Sequence, residues 1–365
     1  MTDRITILNN IAKDLSLYEA CTILTMVRNR ECPDNGKRFG VYPIQDISKF
    51  ERGKKMEASL WSASEVLFKD DVDDFEAMDE NHRRPLKLIF GLFAIADGVI
   101  SENLMNYLLN CSQSLEENCF YIHQLQNELV HAETYGKMIF TLIRDEQERN
   151  DIFEAVHNIK SIGNISNLVF EVIQNPDGQR QLYITMAITE LLVFTPLFCI
   201  IFWYRTYMPG KIRNIIFSNE MIGRDEAHHG LNSCLNYIAL PKESRYTDTQ
   251  IFSMVAKFME RIEEFIHEIF DTIQLTDIDA DRVIKYAKYV ADDMLVRCGH
   301  NPMYKQSCPF SWMLFLNQTQ VKTNFYEATV GEYKRFDPDA KVKEAMELCG
   351  MNTGVVESHV DDDWE

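Results

Sequence analysis

Four Glu-x-x-His pairs are the residues of this 365-residue chain whose spacing could hold a metal ion. A glutamate and a histidine three positions apart lie about 60° apart on one face of a helix, so both side chains can bind the same ion. The pairs are Glu128/His131, Glu154/His157, Glu226/His229 and Glu264/His267. Because one such pair alone means little, its surroundings must separate a metal site from an ordinary helix surface.

Two of the pairs have the pattern of a solvated helix face. Between residues 258 and 273 the apolar side chains form one helical stripe, and Glu264 and His267 fall off that stripe beside further acidic residues. Glu154 and His157 stand in a short segment outside the long predicted helices. We therefore predict that both pairs are structural surface residues.

The other two pairs have carboxylate partners at a matching depth. Asp97 and Glu128 lie at similar distances on either side of a polar turn near residue 113, and Glu190 and Glu226 do so about a turn near residue 209. Antiparallel helices joined at each turn would bring the two carboxylates to one height. Two such hairpins, each with one carboxylate and one Glu-x-x-His pair, have the composition of a di-iron site in a ferritin-like bundle.

The apolar surroundings of Asp97 and Glu190 support this interpretation over that of surface acids. Asp97 stands in IFGLFAIADGVI and Glu190 in MAITELLVFTPLFCIIFW. A carboxylate among such neighbours is costly to bury unless it is paired or bound to metal. The oxygen and imidazole ligands suit iron or manganese. Spacing favours His229 over its neighbour His228, because only His229 follows Glu226 by three residues.

Tyr135 is the candidate for redox chemistry beside this cluster. It follows His131 by four residues and so lies one turn along the same helix face. A core tyrosine with a satisfied hydroxyl is the alternative interpretation. Next to a metal cluster, the phenol becomes a candidate one-electron donor, but these residues alone do not distinguish an oxidase from an iron store.

Helical periodicity supplies the elements that must position these residues. It predicts helices at 84–110, 116–144, 180–204 and 213–237, followed by amphipathic helices at 249–273 and 278–298. The fold is therefore predicted to be all-α, a ferritin-like helical bundle with a di-metal site in its core. We expect an N-terminal appendage at 1–40, the di-iron domain at 41–336 and a flexible acidic tail at 337–365.

Composition restricts the partners and the compartment. The formal charge of −19 disfavours nucleic acid and anionic membranes as partners. The longest apolar run, 191–204, is shorter than the roughly 20 residues of a spanning helix, so it predicts a buried core helix. The nine cysteines are scattered without a Cys-x-x-Cys pair, and the N-terminus lacks the order of a signal peptide. We expect a soluble cytoplasmic protein.

Several long motifs resemble those of class I ribonucleotide reductase small subunits, of the eukaryotic and viral type. NELVHAETY, FAIADGVISENL and FSNEMIGRDEAHH are similar to the metal-site segments of that family, and the resemblance extends from RFGVYPIQ and EASLW to KTNFYEATVGEYKR. It implies a homodimer in which two iron ions, or manganese or a mixed pair, react with oxygen to convert a tyrosine to a stable radical. The radical passes to a large subunit that reduces ribonucleoside diphosphates or triphosphates.

The resemblance also implies a role for individual residues. The six metal ligands are Asp97, Glu128, His131, Glu190, Glu226 and His229, and the radical-bearing residue is Tyr135. The apolar pocket around the radical comprises Phe194, Phe198 and Ile222, which stand at helical spacing from ligands Glu190 and Glu226. Radical transfer is assigned to Trp61, Asp225 and Tyr333.

Two departures from the family pattern stand out. The segment between residues 203 and 218 is longer than usual, and the sequence ends in DDDWE where the family has a terminal phenylalanine. Trp364 is therefore the candidate anchor for docking on the large subunit, with a merely solubilising tail as the alternative. One rival function is another di-iron oxidase or hydroxylase, which would not need Trp61 or the VGEYKR motif. The other is a non-catalytic iron-binding bundle, although storage proteins are usually shorter and a degenerate subunit should have lost ligands or the tyrosine.

Overall fold

Twelve α-helices form the part of the protein that the computed structural model describes, which is residues 40–109, 112, 114–174, 177–313, 343 and 346. In sequence order they are α1 Ile47–Ser59, α2 Val72–Ala77, α3 Glu80–Asn103, α4 Leu115–Leu142, α5 Glu146–Phe153, α6 Ala155–Asn158, α7 Lys160–Gln174, α8 Gly178–Ala187, α9 Thr195–Tyr207, α10 Arg213–Ala239, α11 Asp248–Phe270 and α12 Ala280–Arg297. Two π-helical segments, Leu104–Leu108 and Ile188–Val193, extend α3 and join α8 to α9. These residues contain no β-strand, so the predicted all-α, ferritin-like class is confirmed.

Side-chain caps define where the long helices begin. Ser114 accepts a hydrogen bond from the backbone N–H of Glu117 at the start of α4, and Asp279 does the same for Arg282 in α12. Asp79 caps α3 through the N–H of His82. Such caps satisfy backbone donors that have no partner inside the helix. All six helices predicted from periodicity are present, with ends that differ by a few residues.

The start of α10 is capped by a residue distant in the sequence. Asp71, in the 3₁₀ turn Phe68–Asp71, accepts hydrogen bonds from the backbone N–H groups of Asn214 (3.2 Å) and Ile215 (2.8 Å). Ile212, just before the helix, has a left-handed backbone with a φ of 42°. The long connection noted in the sequence is thus held at its end by a second segment, which fixes where the metal-binding helix begins.

Two helical stretches are long and apolar enough to cross a membrane, but both belong to the core of the bundle. In Gly178–Tyr207, 89% of the apolar window is buried inside the protein, and in Glu80–Leu108 the figure is 61%. The first includes the apolar run 191–204, which is buried as predicted. These stretches carry Glu190 and Asp97, so the most apolar helices of the bundle enclose the candidate ligands.

Residues 1–39 of the predicted appendage at 1–40 and most of the predicted tail at 337–365 lie outside the described residues. Lys343 and Met346 are described, and Met346 is buried in a small apolar cluster with Ile44 and Phe50. The tail therefore contacts the domain at this residue. The proposed domain boundaries remain predictions.

Candidate metal centre

The six predicted ligands converge in the core as two overlapping groups of four. Within each group the potential ligand atoms lie within 4.8 Å of one another. One group is Asp97, Glu128, His131 and Glu226, and the other is Glu128, Glu190, Glu226 and His229. Because Glu128 and Glu226 belong to both groups, they are the two carboxylates that two bound metal ions could share.

Each ligand comes from one of the helices that the hairpin argument required. Helix α3 supplies Asp97, α4 supplies Glu128 and His131, and α10 supplies Glu226 and His229. Glu190 comes from the π-helical segment Ile188–Val193, a wider helical turn of the kind found frequently at functional sites.

The cluster is fully buried, and some of its carboxylate oxygens form no hydrogen bond and could bind metal. Every one of the six side chains is at most 2% exposed. Three of the carboxylates keep one oxygen atom without a hydrogen-bond partner, namely Asp97 Oδ2, Glu128 Oε2 and Glu190 Oε2. Buried polar atoms are nearly always satisfied, so three orphaned acid oxygens in one buried cluster fit bound cations. Their oxygen and imidazole donors suit iron or manganese.

The pKa values of the candidate ligands indicate a buried site with too little positive charge of its own. Burial, with nearby carboxylates, holds the pKa values of Asp97 and Glu190 well above the ordinary range. Burial would also raise the pKa of Glu226, but the two histidines outweigh it and lower this pKa. Burial would lower the pKa values of His131 and His229, but their acidic neighbours raise both. The two histidines thus supply less positive charge than the four buried carboxylates call for, which bound cations would provide.

Gln124 is a further contributor that the sequence had not suggested. Its Nε2 donates to Glu190 Oε1 at 2.8 Å and to Glu128 Oε1 at 3.4 Å, so it links ligands from two different helices. Its position four residues before Glu128 places it on the ligand-bearing face of α4, and this spacing could have identified it. Hydrogen bonds of this kind orient metal ligands.

A hydrogen-bonded path leads from the cluster to a tryptophan. Trp61 Nε1 donates to Asp225 Oδ2 at 2.8 Å, and the same oxygen lies 3.3 Å from Nε2 of His131. This leaves Nδ1 of His131 facing the carboxylates, 3.0 Å from Glu226 Oε1. Trp61 and Asp225, which the sequence placed in one path, are therefore in contact with each other and with a metal ligand.

Arg224 holds the acid of that path in its charged form. Its guanidinium donates to Asp225 Oδ1 at 2.9 Å and to the backbone carbonyl of Ser59 at 2.7 Å. Burial would raise the pKa of Asp225, but Arg224 and His131 lower it below the ordinary value. Sequence analysis had missed Arg224, although it stands directly before Asp225.

Tyr135 lies in a closed aromatic pocket next to the cluster. It is completely buried, and its hydroxyl donates to Asn219 Oδ1 at 2.8 Å. Its ring centroid is 5.1 Å from that of Phe93 and 6.3 Å from that of Phe90. Burial raises the pKa of Tyr135 well above its ordinary value, so the phenol keeps its proton at physiological pH.

The predicted pocket residues are buried near Tyr135, but the two phenylalanines contact Phe93. Phe194 and Phe198 pack against Phe93, at centroid distances of 5.1 and 5.0 Å, so Phe93 lies between them and Tyr135. Ile222 is buried on α10, one turn before Glu226. Sequence analysis had missed Phe93, although its position four residues before Asp97 places it on the ligand-bearing face of α3.

The remaining predicted residues lie elsewhere. Glu154 is exposed at the turn between α5 and α6, and His157 is exposed on α6. Glu264 and His267 are exposed on α11, so both pairs are surface residues as predicted. Tyr333 and Trp364 lie outside the described residues.

A helical bundle that brings together two Glu-x-x-His pairs and two further carboxylates in its core defines the class of carboxylate-bridged di-metal proteins. The model of the family "Ribonucleotide reductase, small chain" matches residues 38–309. The protein belongs to this family of oxidoreductase subunits, as the sequence motifs had predicted.

Relatives agree with this assignment. The sequence is 35% identical over 325 residues to a ribonucleoside-diphosphate reductase small chain of Arabidopsis thaliana, covering 88% of this protein and 91% of that one. It is 32% identical to the ribonucleoside-diphosphate reductase small subunit of Dictyostelium discoideum, covering 83% and 88%.

Two solved structures share the fold at low sequence identity. The dimanganese(II)-NrdF of Streptococcus sanguinis superposes with a TM-score of 0.69 at 19% identity, covering 77% of this protein and 99% of that one. The Rnr4 homodimer of Saccharomyces cerevisiae gives 0.68 at 21% identity, covering 82% and 90%.

Proposed function

We propose that this protein is the radical-generating small subunit of a ribonucleoside-diphosphate reductase, with Tyr135 as the residue that carries the radical. The six ligands would hold two iron ions, or manganese or a mixed pair, and these metals supply oxygen activation and the one-electron oxidant. A large catalytic subunit would receive the radical and reduce ribonucleotides to deoxyribonucleotides.

The observation that carries this proposal is the hydrogen-bonded path from His131 through Asp225 to Trp61. An oxidase acting on a small substrate, or an iron store, has no need to connect a metal ligand to a buried tryptophan. A subunit that must export an oxidising equivalent does need such a connection. The membership of the protein in the small-chain family supports the same choice.

The protein groups perform three tasks in this mechanism. The aromatic pocket of Phe90 and Phe93 excludes water and reductants from Tyr135. Asp225, kept charged by Arg224, accepts the indole N–H of Trp61 and orients the imidazole of His131. Gln124 fixes the carboxylates of Glu128 and Glu190 relative to each other.

Electron paramagnetic resonance tests the proposal directly. The protein is loaded anaerobically with ferrous iron and then exposed to oxygen, and a tyrosyl signal is the expected result. If iron loads and is oxidised without an organic radical, the same measurement is repeated with manganese and with a mixed pair. Absence of a radical in all three preparations would favour the oxidase or storage functions.

We also propose that the subunit is a homodimer formed through α4. Ile122 and Leu129 stand two turns apart on one face of this helix and are 55% and 60% exposed. Large apolar side chains repeated along a helix face mark a contact surface. The Saccharomyces cerevisiae neighbour is a homodimer, which supports the same arrangement here.

Replacing Leu129 with arginine is expected to convert the dimer to a monomer, since the substitution would bury two charges in the interface. Val296→Arg is the matched control, because Val296 is 56% exposed on α12, away from this face. The mass in solution is measured by sedimentation equilibrium. A Leu129→Arg protein that remains dimeric would exclude this surface.

For the large subunit, the proposed docking element is the C-terminal segment with Trp364 as its apolar anchor and Asp361–Asp363 as its charged flank. Deleting residues 357–365 is expected to leave the tyrosyl radical unchanged while nucleotide reduction by the reconstituted complex is lost. Trp364→Phe, which preserves an aromatic anchor, should retain activity where Trp364→Ala does not. Equal activity in all three proteins would make the tail merely solubilising.

The cytosol is the proposed compartment. Among the described residues, Cys199, Cys234, Cys298 and Cys308 have free thiols. Free thiols support a reducing environment.

A further inference from the structure

Asn219 is a buried side chain whose amide nitrogen and amide oxygen both form hydrogen bonds. It lies on α10, two turns before ligand Glu226, and is completely buried. Its Nδ2 donates to the backbone carbonyl of Ile215 at 2.7 Å, one turn earlier in the same helix. Its Oδ1 accepts the hydroxyl of Tyr135 at 2.8 Å. The bond to Ile215 fixes the orientation of the amide, so the oxygen must face the phenol.

We propose that Asn219 is the positioning residue of Tyr135, holding the phenol in one orientation before oxidation and offering no hydrogen bond to the radical afterwards. This inference rests on the proposed function, in which Tyr135 carries the radical. The ring neighbours Phe90 and Phe93 are apolar and cannot accept the hydroxyl hydrogen. Asn219 thus sets the direction of the O–H bond, since its Oδ1 is the atom that accepts the hydroxyl hydrogen.

The asymmetry between the two redox states follows from donor and acceptor chemistry. A neutral phenoxyl radical has lost the hydroxyl hydrogen, so its oxygen can only accept hydrogen bonds. Asn219 Oδ1 is also only an acceptor, and the donor end of the amide is held by Ile215. The contact therefore stabilises the reduced phenol and not the radical, which makes the radical at this position a stronger oxidant.

The first test compares the radical in Asn219→Leu with that in the wild type. The substitution removes the acceptor but leaves the Ile215 carbonyl with the hydroxyl of Ser218, which lies 3.0 Å away. The radical is expected to form with altered β-methylene hyperfine couplings, because these report the ring orientation, and to be reduced about tenfold more slowly, because the phenol that it becomes has lost its hydrogen-bond acceptor and the radical is a weaker oxidant. The high-field g-tensor of the wild-type radical is expected to show no hydrogen bond from Asn219, in contrast to a radical oxygen that accepts one.

Ser218→Ala is the matched control. It removes a hydrogen bond to the same Ile215 carbonyl without contacting Tyr135, so its radical should have the wild-type spectrum and lifetime. An Asn219→Leu radical identical to the wild type in both respects would overturn the proposal. Changes of equal size in Ser218→Ala would also overturn it, because they would come from the helix and not from the phenol contact.

A second measurement in the metal-free protein separates this inference from the proposed function. The difference infrared spectrum of the wild type minus Tyr135→Phe isolates the C–O stretching band of Tyr135. That band is expected to shift in Asn219→Leu, as the phenol loses its acceptor, and to stay in place in Ser218→Ala. An unshifted band overturns the Asn219 contact even if the radical forms. If the band shifts in a protein that forms no radical, the hydrogen bond between Asn219 and Tyr135 is supported, and the proposed function with its radical on Tyr135 is excluded.

Discussion

Replacing Tyr135 with phenylalanine is expected to abolish the tyrosyl radical and, with it, nucleotide reduction. The substitution removes the phenol but keeps the ring that packs on Phe93, and it changes no ligand of the metal cluster. Metal binding and the fold should therefore remain intact. A small loss of stability, about 1 kcal/mol, is expected because Asn219 Oδ1 loses its hydrogen bond. Electron paramagnetic resonance, iron content and thermal unfolding measure the three effects.

Tyr121→Phe is the matched control for this experiment. Tyr121 is also a buried tyrosine of α4, and its hydroxyl donates to Glu117 at 3.0 Å. This hydroxyl also accepts a hydrogen bond from Asn236 at 3.0 Å, so its removal should cost at least as much free energy of unfolding while leaving the radical in place. If Tyr135→Phe still reduces nucleotides with a large subunit, the radical resides on another residue and the assignment is wrong.

Replacing Trp61 with phenylalanine is expected to separate radical formation from radical export. The cluster and Tyr135 are unchanged, so the tyrosyl signal should still form. Asp225 loses the indole N–H but keeps its contacts with Arg224, which limits the structural damage. Nucleotide reduction by the complex is expected to fall on the order of 10³-fold, equivalent to roughly 4 kcal/mol of barrier.

Trp203→Phe provides the comparison, since Trp203 is equally buried and its Nε1 donates to the backbone carbonyl of Thr276, outside the proposed path. This protein should retain both the radical and turnover. Measuring the radical and the product in parallel distinguishes the two roles. Normal turnover in Trp61→Phe would remove the tryptophan from the path while leaving the metal centre and Tyr135 as proposed.

The long helices and the convergence of the six candidate ligands could be predicted from sequence because both depend on local spacing. Apolar residues recur with the period of a helix, and each Glu-x-x-His pair is contained in one turn. The heights of Asp97 and Glu190 along the bundle could be predicted from their distances in sequence to the turns. This estimate holds when the two helices joined by a turn are nearly straight and antiparallel. The Glu154 pair could be predicted to be exposed because it stands in a short segment. The Glu264 pair could be predicted to be exposed because it falls off the apolar stripe of its helix.

The contacts that sequence analysis missed are those between helices distant in the sequence. Asn219 reaches Tyr135 across 84 positions, and Asp71 caps α10 across more than 140. No periodicity in one helix reveals which residue of another helix lies opposite. Phe93 had a usable spacing from Asp97, but its place between Phe198 and Tyr135 depends on how three helices pack.

The π-helical segment Ile188–Val193 and the helix α9 that follows it differ in how they would respond to a change in the number of residues. A π turn contains one residue more than the α-helix would, so deleting one residue between Glu190 and Phe194 would restore a continuous α-helix. Because the wider turn absorbs the extra residue, the residues after it would keep their direction. One residue deleted from α9 before Phe198 would instead rotate everything after it by about 100° about the helix axis. Phe198 would then lose its contact with Phe93 although no side chain had changed. Over evolutionary time, α9 should therefore accept substitutions more readily than deletions, whereas the π turn can accommodate a change of one residue.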